Sequence, residues 1–379
     1  MSLNDTPSGN RIRIAFFGMR NAGKSTLVNA FCGQDVAIVS DVPGTTTDPV
    51  SKAMEILPLG PCLVTDTAGL DDEGPLGVER VRRSLAVLAT ADIAVWVEGD
   101  EAGSLACGAR AAFDEECRRR SVPVIEYRRG DSVEALRRRV ASVRVETEPG
   151  ILDGLVSAGD RVICVCPIDE SAPKGRLILP QVQTMRDCLD RHATCSVCQP
   201  AELAGLLAEL PPSDSRPTVV VTDSQAFGEV RAVVDAARAE GRPVRLTSFS
   251  ILFARQKGDL AAYVKGMEAV SALRDGDTVL VAEGCTHHRQ SNDIATVKIP
   301  RALRSLTGKK LDFVFASGGS FDIPADAKPA LVVHCGGCML TRREVRRRIA
   351  VAAEAGVEMV NYGLLLAMAN GLKPEEVMP

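Results

Sequence analysis

Arg11-Ile12-Arg13-Ile14-Ala15-Phe16-Phe17 runs directly into Gly18-Met19-Arg20-Asn21-Ala22-Gly23-Lys24-Ser25, and this junction decides the architecture of the first part of the chain. The first seven residues read as a strand. The next eight match Gly-x4-Gly-Lys-Ser/Thr, and 24–32 reads as a helix. Strand, Gly-rich turn and helix in that order are the context in which this motif binds phosphate. Backbone N–H groups at the turn and at the helix N-terminus cradle anionic oxygens. Lys24 is expected to reach the β- and γ-phosphates and Ser25 to ligate Mg²⁺. Gly18, Asn21, Ala22, Gly23 and Thr26 complete the expected phosphate loop.

Two companions follow in chain order. Gly44-Thr45-Thr46-Thr47-Asp48 lies in a Pro/Gly-rich loop, where Thr46, with Thr45 beside it, would add a second Mg²⁺ ligand. Asp66-Thr67-Ala68-Gly69 follows a short strand at Leu63-Val64-Thr65. Asp66 would hold Mg²⁺ through water, and the Gly69 N–H would sense the γ-phosphate. Lys24, Thr46, Asp66 and Gly69 are the expected catalytic set of a nucleotide hydrolase. These phrases resemble the TrmE–Era class of bacterial GTPases. Leu70 stands where a Ras-type enzyme places its water-orienting Gln. In members with Asn at the Asn21 position, the resemblance implies a K⁺ ion near the β/γ bridge, hence slow, K⁺-activated hydrolysis of GTP.

One GTPase element is missing. Asn-Lys-x-Asp, which reads guanine, should follow the strand at Val124-Ile125, yet the chain reads Glu126-Tyr127-Arg128-Arg129-Gly130-Asp131. Asp131 is either a surviving base reader or part of Gly130–Leu136, which resembles the stretch after the fifth GTPase element. In the second reading the base-reading motif is deleted and the domain is short by one strand–helix unit.

Beyond this point strands and helices keep alternating, as in parallel, doubly wound sheets. The expected class is α/β: a P-loop GTPase domain over 1–148, a linker at 149–158, a small α/β dimerisation domain at 159–245 and an α/β cluster-binding domain at 246–379. No internal repeat stands out. The net charge of −4 gives no electrostatic case for nucleic-acid binding. No run reaches the roughly 18 apolar residues of a membrane span, and the polar start lacks a signal-peptide core. A cytoplasmic location is expected. Twelve cysteines are many for a reducing compartment, which points to metal or redox chemistry.

Glu283-Gly284-Cys285-Thr286-His287-His288 and His334-Cys335-Gly336-Gly337-Cys338 carry that chemistry. Each follows a strand end, where α/β ligand sites gather, and Gly336-Gly337 lets the backbone wrap a bulky group. Three thiolates suit a 4Fe-4S cluster with one iron left for another ligand; a Cys3His zinc site is the competing reading. Cys195-x-x-Cys198 lies inside a strand, which puts its thiols on opposite faces, and reads as structural. Cys164 and Cys166 read as core.

Cys285-x-His287 and His334-Cys335-x-x-Cys338, with 46 residues between the two histidines, resemble the HydF family of FeFe-hydrogenase maturation proteins. Ala172–Gln181, Thr222–Phe227 and Thr247–Arg255 carry the same resemblance. It implies a homodimeric scaffold or carrier GTPase that holds a 4Fe-4S cluster on Cys285, Cys335 and Cys338. It also implies cargo, a diiron subcluster precursor, and partners: the radical-SAM maturases HydE and HydG and the FeFe-hydrogenase apo-protein. The fourth ligand varies in that family; here His334, His287, Asp293 or water are the candidates. A pseudo-GTPase scaffold with little nucleotide turnover is the alternative reading.

Overall fold

The computed structural model describes residues 6–33, 50–71, 74–99, 104–145, 148–168, 175, 177–211, 216–285, 293–319, 321–324 and 326–378. They divide into two compact units, 1–147 and 148–379.

The first unit opens with β1 (Ile12–Gly18) and α1 (Lys24–Cys32), then β2 (Val50–Ile56), β3 (Gly60–Asp66), α2 (Gly74–Leu88), β4 (Ile93–Glu98), α3 (Ser104–Arg119), β5 (Val124–Arg128) and α4 (Val133–Ala141). The sheet order is β2-β3-β1-β4-β5. All pairs are parallel except β2–β3, an antiparallel edge. Strand alternation sends Ile14 and Phe16 toward α1 and α4, and Ala15 and Phe17 toward α2 and α3. Burying both faces gives the continuous apolar run of a central parallel strand. Two elements escaped the sequence reading. β2 buries only alternate residues, so its signal is diluted by Ser51, Lys52 and Glu55. α2 begins Gly-Pro-Leu-Gly, which reads as a loop although Pro is well placed in a first helical turn.

The second unit holds two parallel sheets. The first uses β6 (Arg161–Val165), α5 (Leu179–Asp190), β7 (Thr194–Cys198), α6 (Leu203–Ala208), β8 (Thr218–Thr222), α7 (Phe227–Ala239) and β9 (Val244–Ser248), in the order β7-β6-β8-β9. Two helices then follow, α8 (Phe249–Lys257) and α9 (Leu260–Val270). The second sheet uses β10 (Thr278–Ala282), α10 (Ile299–Thr307), β11 (Asp312–Ala316), β12 (Leu331–His334), α11 (Arg342–Glu354), β13 (Met359–Asn361), α12 (Tyr362–Ala369) and α13 (Pro374–Val377), in the order β11-β10-β12-β13. Both sheets therefore share one topology, second strand, first, third, fourth. That is a structural repeat without a sequence repeat.

One hydrophobic core runs through both sheets, joining Val220, Phe227 and Leu246 to Val279, Val332 and Val360. The stretch at 149–158 carries Ile151, Leu152 and Val156 into a second core with Phe249 and Phe253, so its Pro and Gly residues shape packed turns. The boundary expected at 246 falls within β9. Gly266 of α9 lies so close to β13 that a Cβ there would stand 2.1 Å from the Met359 carbonyl oxygen. This contact seats α9 directly on the sheet edge. In a parallel sheet the ligand crevice lies at the carboxyl ends of the strands where the order reverses. In the second sheet that point is between β10 and β12.

Candidate functional site

The phosphate loop is set by backbone shape. Asn21 and Gly23 take positive φ, 61° and 87°, and a Cβ at Gly18 would stand 2.5 Å from the Val97 carbonyl oxygen. Lys24 is buried, and its Nζ donates to the carbonyls of Met19 (2.7 Å) and Gly18 (3.2 Å). Ser25 Oγ donates to Asp66 Oδ2 at 2.6 Å. Asp66 is fully buried, and its Oδ1 has no protein partner among the described residues. Burial pushes its carboxyl pKa up, against the Ser25 hydrogen bond and the Lys24 charge, which pull it down. A buried carboxylate oxygen left over beside a Ser hydroxyl fits the outer shell of a Mg²⁺ ion, whose waters would satisfy it.

The Asp66–Gly69 turn is strapped to β1. Thr67 Oγ1 donates to the Phe16 carbonyl at 2.7 Å, and Leu70 N–H to the Gly18 carbonyl at 3.3 Å. A Cβ at Gly69 would stand 2.8 Å from the Arg20 nitrogen, so only Gly lets this turn lie against the loop. Asp71 Oδ1 accepts from the Arg20 N–H at 2.5 Å, which places a carboxylate on a phosphate-loop amide. Gly18, Asn21, Ala22, Gly23, Lys24, Ser25, Thr26, Asp66 and Gly69 thus gather at one end of β1 and β3. Thr45 and Thr46 lie outside the described residues.

The far end of the sheet differs from a guanine-reading site. Asp131 Oδ2 accepts from the Arg128 N–H at 3.0 Å, and Asp131 N–H donates to the Arg128 carbonyl at 2.9 Å. Its carboxylate is used inside its own turn. Ser132 then caps α4 at once, and Arg137 of α4 donates to the carbonyls of Ala30 and Phe31 at the end of α1.

The second site lies between β10 and β12. Cys285 follows Ala282 of β10 by three residues, and Cys335 follows His334 of β12, paired in register with Ala282. Cys335 Sγ accepts backbone N–H groups from Gly284 (3.2 Å) and Gly337 (3.4 Å). Burial pushes this thiol up, and the two N–H bonds pull against it, toward the thiolate. Burial pushes Cys285 up to about 12, with Cys335 and Cys338 adding like-charge repulsion, and burial pushes Cys338 up to about 11. Three half-buried thiols on two loops, with Cys335 and Cys338 opposing the ionisation of Cys285, fit a cationic iron–sulfur group, which would hold all three as thiolates. The backbone fits as well. A Cβ at Gly284 would stand 2.6 Å from Leu340, and Gly337 has φ of 68°. Buried Lys257 fixes the loop by donating to the carbonyls of Leu340 (2.7 Å) and Cys338 (3.2 Å). Among the described residues no three ligand side chains stand at the spacing of a single bound ion.

The candidate fourth ligands separate. His334 is fully buried with both ring nitrogens engaged: Nδ1 stands 2.7 Å from the Cys335 carbonyl oxygen, and Nε2 stands 3.3 Å from Arg348 Nη1. Burial, then the Arg348 charge, lower its pKa to about 4. A neutral ring donating from Nδ1 and accepting at Nε2 has no lone pair left for iron. Asp293 caps a single π-helical turn, Ile294–Lys298, through bonds from Thr296 N and Oγ1, both 2.8 Å. Local π geometry often marks functional sites. His287 lies outside the described residues.

Sequence reasoning missed several groups because they arrive from distant elements. Lys257 comes from α8, Arg348 from α11 and Tyr362 from α12. Cys195 Sγ stands 3.7 Å from Cys164 Sγ across the β6–β7 pair. Cys198 packs on the opposite face, as strand alternation requires.

Comparison with known proteins finds three matching domains along the chain. Residues 13–121 match a 50S ribosome-binding GTPase domain, 151–258 the hydrogen maturase F dimerization domain and 261–378 the hydrogen maturase F tetramerization domain. The tRNA modification GTPase MnmE of Methylobacterium sp. (strain 4-46) is 42% identical over 111 residues, covering 28% of this chain and 25% of that protein. MnmE of Acidiphilium cryptum (strain JF-5) is 34% identical over 153 residues, covering 40% and 33%. The chain spans a quarter to a third of the length of these curated relatives. A crystal structure of Aquifex aeolicus Era bound to GDP and aluminium fluoride is 18% identical, covers 62% of this chain and 91% of that one, and has a TM-score of 0.27, too low to carry a structural statement. The N-terminal unit carries a GTPase domain. The two maturase domains together take in more than half of the chain, and the protein belongs to the hydrogen maturase F family.

Proposed function

We propose that the chain is a scaffold and carrier in FeFe-hydrogenase maturation, binding a 4Fe-4S cluster through Cys285, Cys335 and Cys338 and delivering a diiron precursor to the apo-hydrogenase. The observation that carries this reading is that Cys285 and Cys335 follow the paired strands β10 and β12 at their switch point, with two N–H groups aimed at Cys335 sulfur. When bound, such a cluster supplies an iron with an exchangeable ligand. The protein's part is to hold three thiolates and keep the loop rigid through Lys257 and Arg348. In this reading the chain has a nucleotide part to about residue 148, a dimerisation part and a cluster part. It works in the cytoplasm as a dimer or higher oligomer, with HydE and HydG as suppliers.

At the nucleotide site, Lys24 moves from the Gly18 and Met19 carbonyls to the β- and γ-phosphates when GTP enters. Ser25 and Thr46 hold Mg²⁺ directly, and Asp66 holds it through water. Asn21 is the proposed K⁺ contact. Leu70 supplies no hydrogen bond to an attacking water, which suits slow hydrolysis. The alternative, a pseudo-GTPase, is favoured by one observation: Asp131 is spent in its own turn and β5 leads straight into α4.

The direct test is transfer. Protein purified after co-expression with HydE and HydG is expected to switch on hydrogen evolution in separately purified apo-hydrogenase, and a Cys335→Ser variant to leave it inactive. Equal activation by both proteins would contradict the carrier reading.

A further inference from the structure

A fourth element reaches the cysteine site and ends in a hydroxyl with nothing to bind. Tyr362 is the first residue of α12, immediately after β13, whose Asn361 pairs in register with His334. The position is held firmly. Asn361 Oδ1 accepts from the Gly363 N–H at 2.7 Å, and Asn361 Nδ2 donates to the His334 carbonyl at 3.4 Å. Tyr362 is only 6% exposed, and its hydroxyl has no hydrogen-bond partner among the described residues. Buried tyrosines normally find an acceptor. The ionisable groups that bear on this phenol are Cys335, Glu283, Asp293 and Cys285. They come from the ends of β10 and β12 and from the cap of the π-helical turn, so Tyr362 lies beside the strand ends that carry Cys285 and Cys335. None of these groups accepts a hydrogen bond from it.

We propose that the Tyr362 hydroxyl donates a hydrogen bond to a small anionic ligand, of the hydroxide or cyanide class, carried on the exchangeable iron of a group held by Cys285, Cys335 and Cys338. The inference rests on the cluster reading above and adds to it the residue that recognises the ligand. Burial, and then the anionic neighbours, push the phenol well above its ordinary pKa of 10. It therefore keeps its proton and acts as a donor. An anion on iron offers a lone pair to that proton, whereas the surrounding carboxylates and thiolates would otherwise repel it. No covalent bond is made or broken by this contact.

The test uses the full chain, reconstituted anaerobically with iron and sulfide, then reduced and titrated with cyanide while the cluster EPR signal is followed. Tyr362→Phe removes only the oxygen. The variant is expected to assemble the same iron per chain and give the same signal without cyanide, but to bind cyanide about tenfold more weakly, the loss of one charge-assisted hydrogen bond. Its apo form is expected to melt at the same temperature as the parent or higher, because an orphaned buried hydroxyl has gone. Equal cyanide affinity in the two proteins would overturn the inference, as would a parent cluster that takes no cyanide. A variant whose apo form melts several degrees lower would also overturn it, by showing the hydroxyl to be structurally paired. A parent chain that assembles no cluster would instead sink the cluster reading itself.

Discussion

Arg348→Ala is expected to destabilise the second unit by about 2–4 kcal/mol, the cost of taking the donor from several buried acceptors, and to lower its melting temperature by on the order of 10 °C. Arg348 is 1% exposed and Glu344 2%. The guanidinium donates to Glu344 Oε1 at 2.8 Å, to the Glu283 carbonyl at 3.4 Å and to the Gly318 carbonyl at 2.5 Å. It also faces His334 Nε2 and stacks 5.2 Å from the Phe321 ring centroid. One side chain thus ties α11 to the chain just beyond β10, β11 and β12. Removing it leaves a buried imidazole nitrogen and two carbonyls without a donor. Glu344 keeps Arg347, at 2.7 Å, so the carboxylate itself is not abandoned. Arg348→Lys should recover little, because a point charge cannot reproduce the planar fork. Thermal melting of the apo protein checks this; a loss below about 1 kcal/mol would show that the network is redundant.

Lys24→Ala should weaken GTP binding on the order of 100- to 1000-fold, by removing charge-assisted contacts to two phosphates. It should bring turnover to background. In the absence of nucleotide the ammonium meets loop carbonyls at 2.7 and 3.2 Å, and losing these two hydrogen bonds should cost about 1–3 kcal/mol of stability. Calorimetric titration and phosphate release in K⁺ buffer measure both effects. The parent protein in the same assay separates the two readings of the domain. A strong preference for GTP over ATP supports a working GTPase. Equal, slow turnover of both supports the pseudo-GTPase, since Asp131 is already occupied by Arg128.

How legible these sites were depends on how local they are. The phosphate loop is one contiguous phrase whose strand, turn and helix are neighbours in sequence, so its residues could be named before any fold was known. The candidate cysteine ligands were legible as residue types because Gly284-Cys285 and Cys335-Gly336-Gly337-Cys338 each follow a strand end. Their relation was not legible, because it depends on β10 and β12 being neighbours across the switch point. His334 stood next to Cys335 and so looked like a ligand. Only the arrival of Arg348, from 14 residues further on, shows that its second nitrogen is taken. Tyr362 carried no signal at all, since an aromatic after a strand is usually core, and it is the pairing of β13 with β12 that brings it to the site. The stretch at 149–158 misled for a related reason. Its Pro and Gly residues suggest a linker, but Leu152 is fully buried against Phe249 and Phe253, 97 and more residues away.

In the proposed function, three cysteines from two strand ends hold one iron–sulfur cluster. Anaerobic reconstitution with iron and sulfide, followed by iron and sulfide analysis and EPR of the reduced protein, tests it most directly when the parent and the Cys285/Cys335/Cys338→Ser triple variant are run side by side. About four irons and four sulfides per parent chain are expected, with a reduced 4Fe-4S signal, and neither in the variant. The same signal in the triple variant would contradict it.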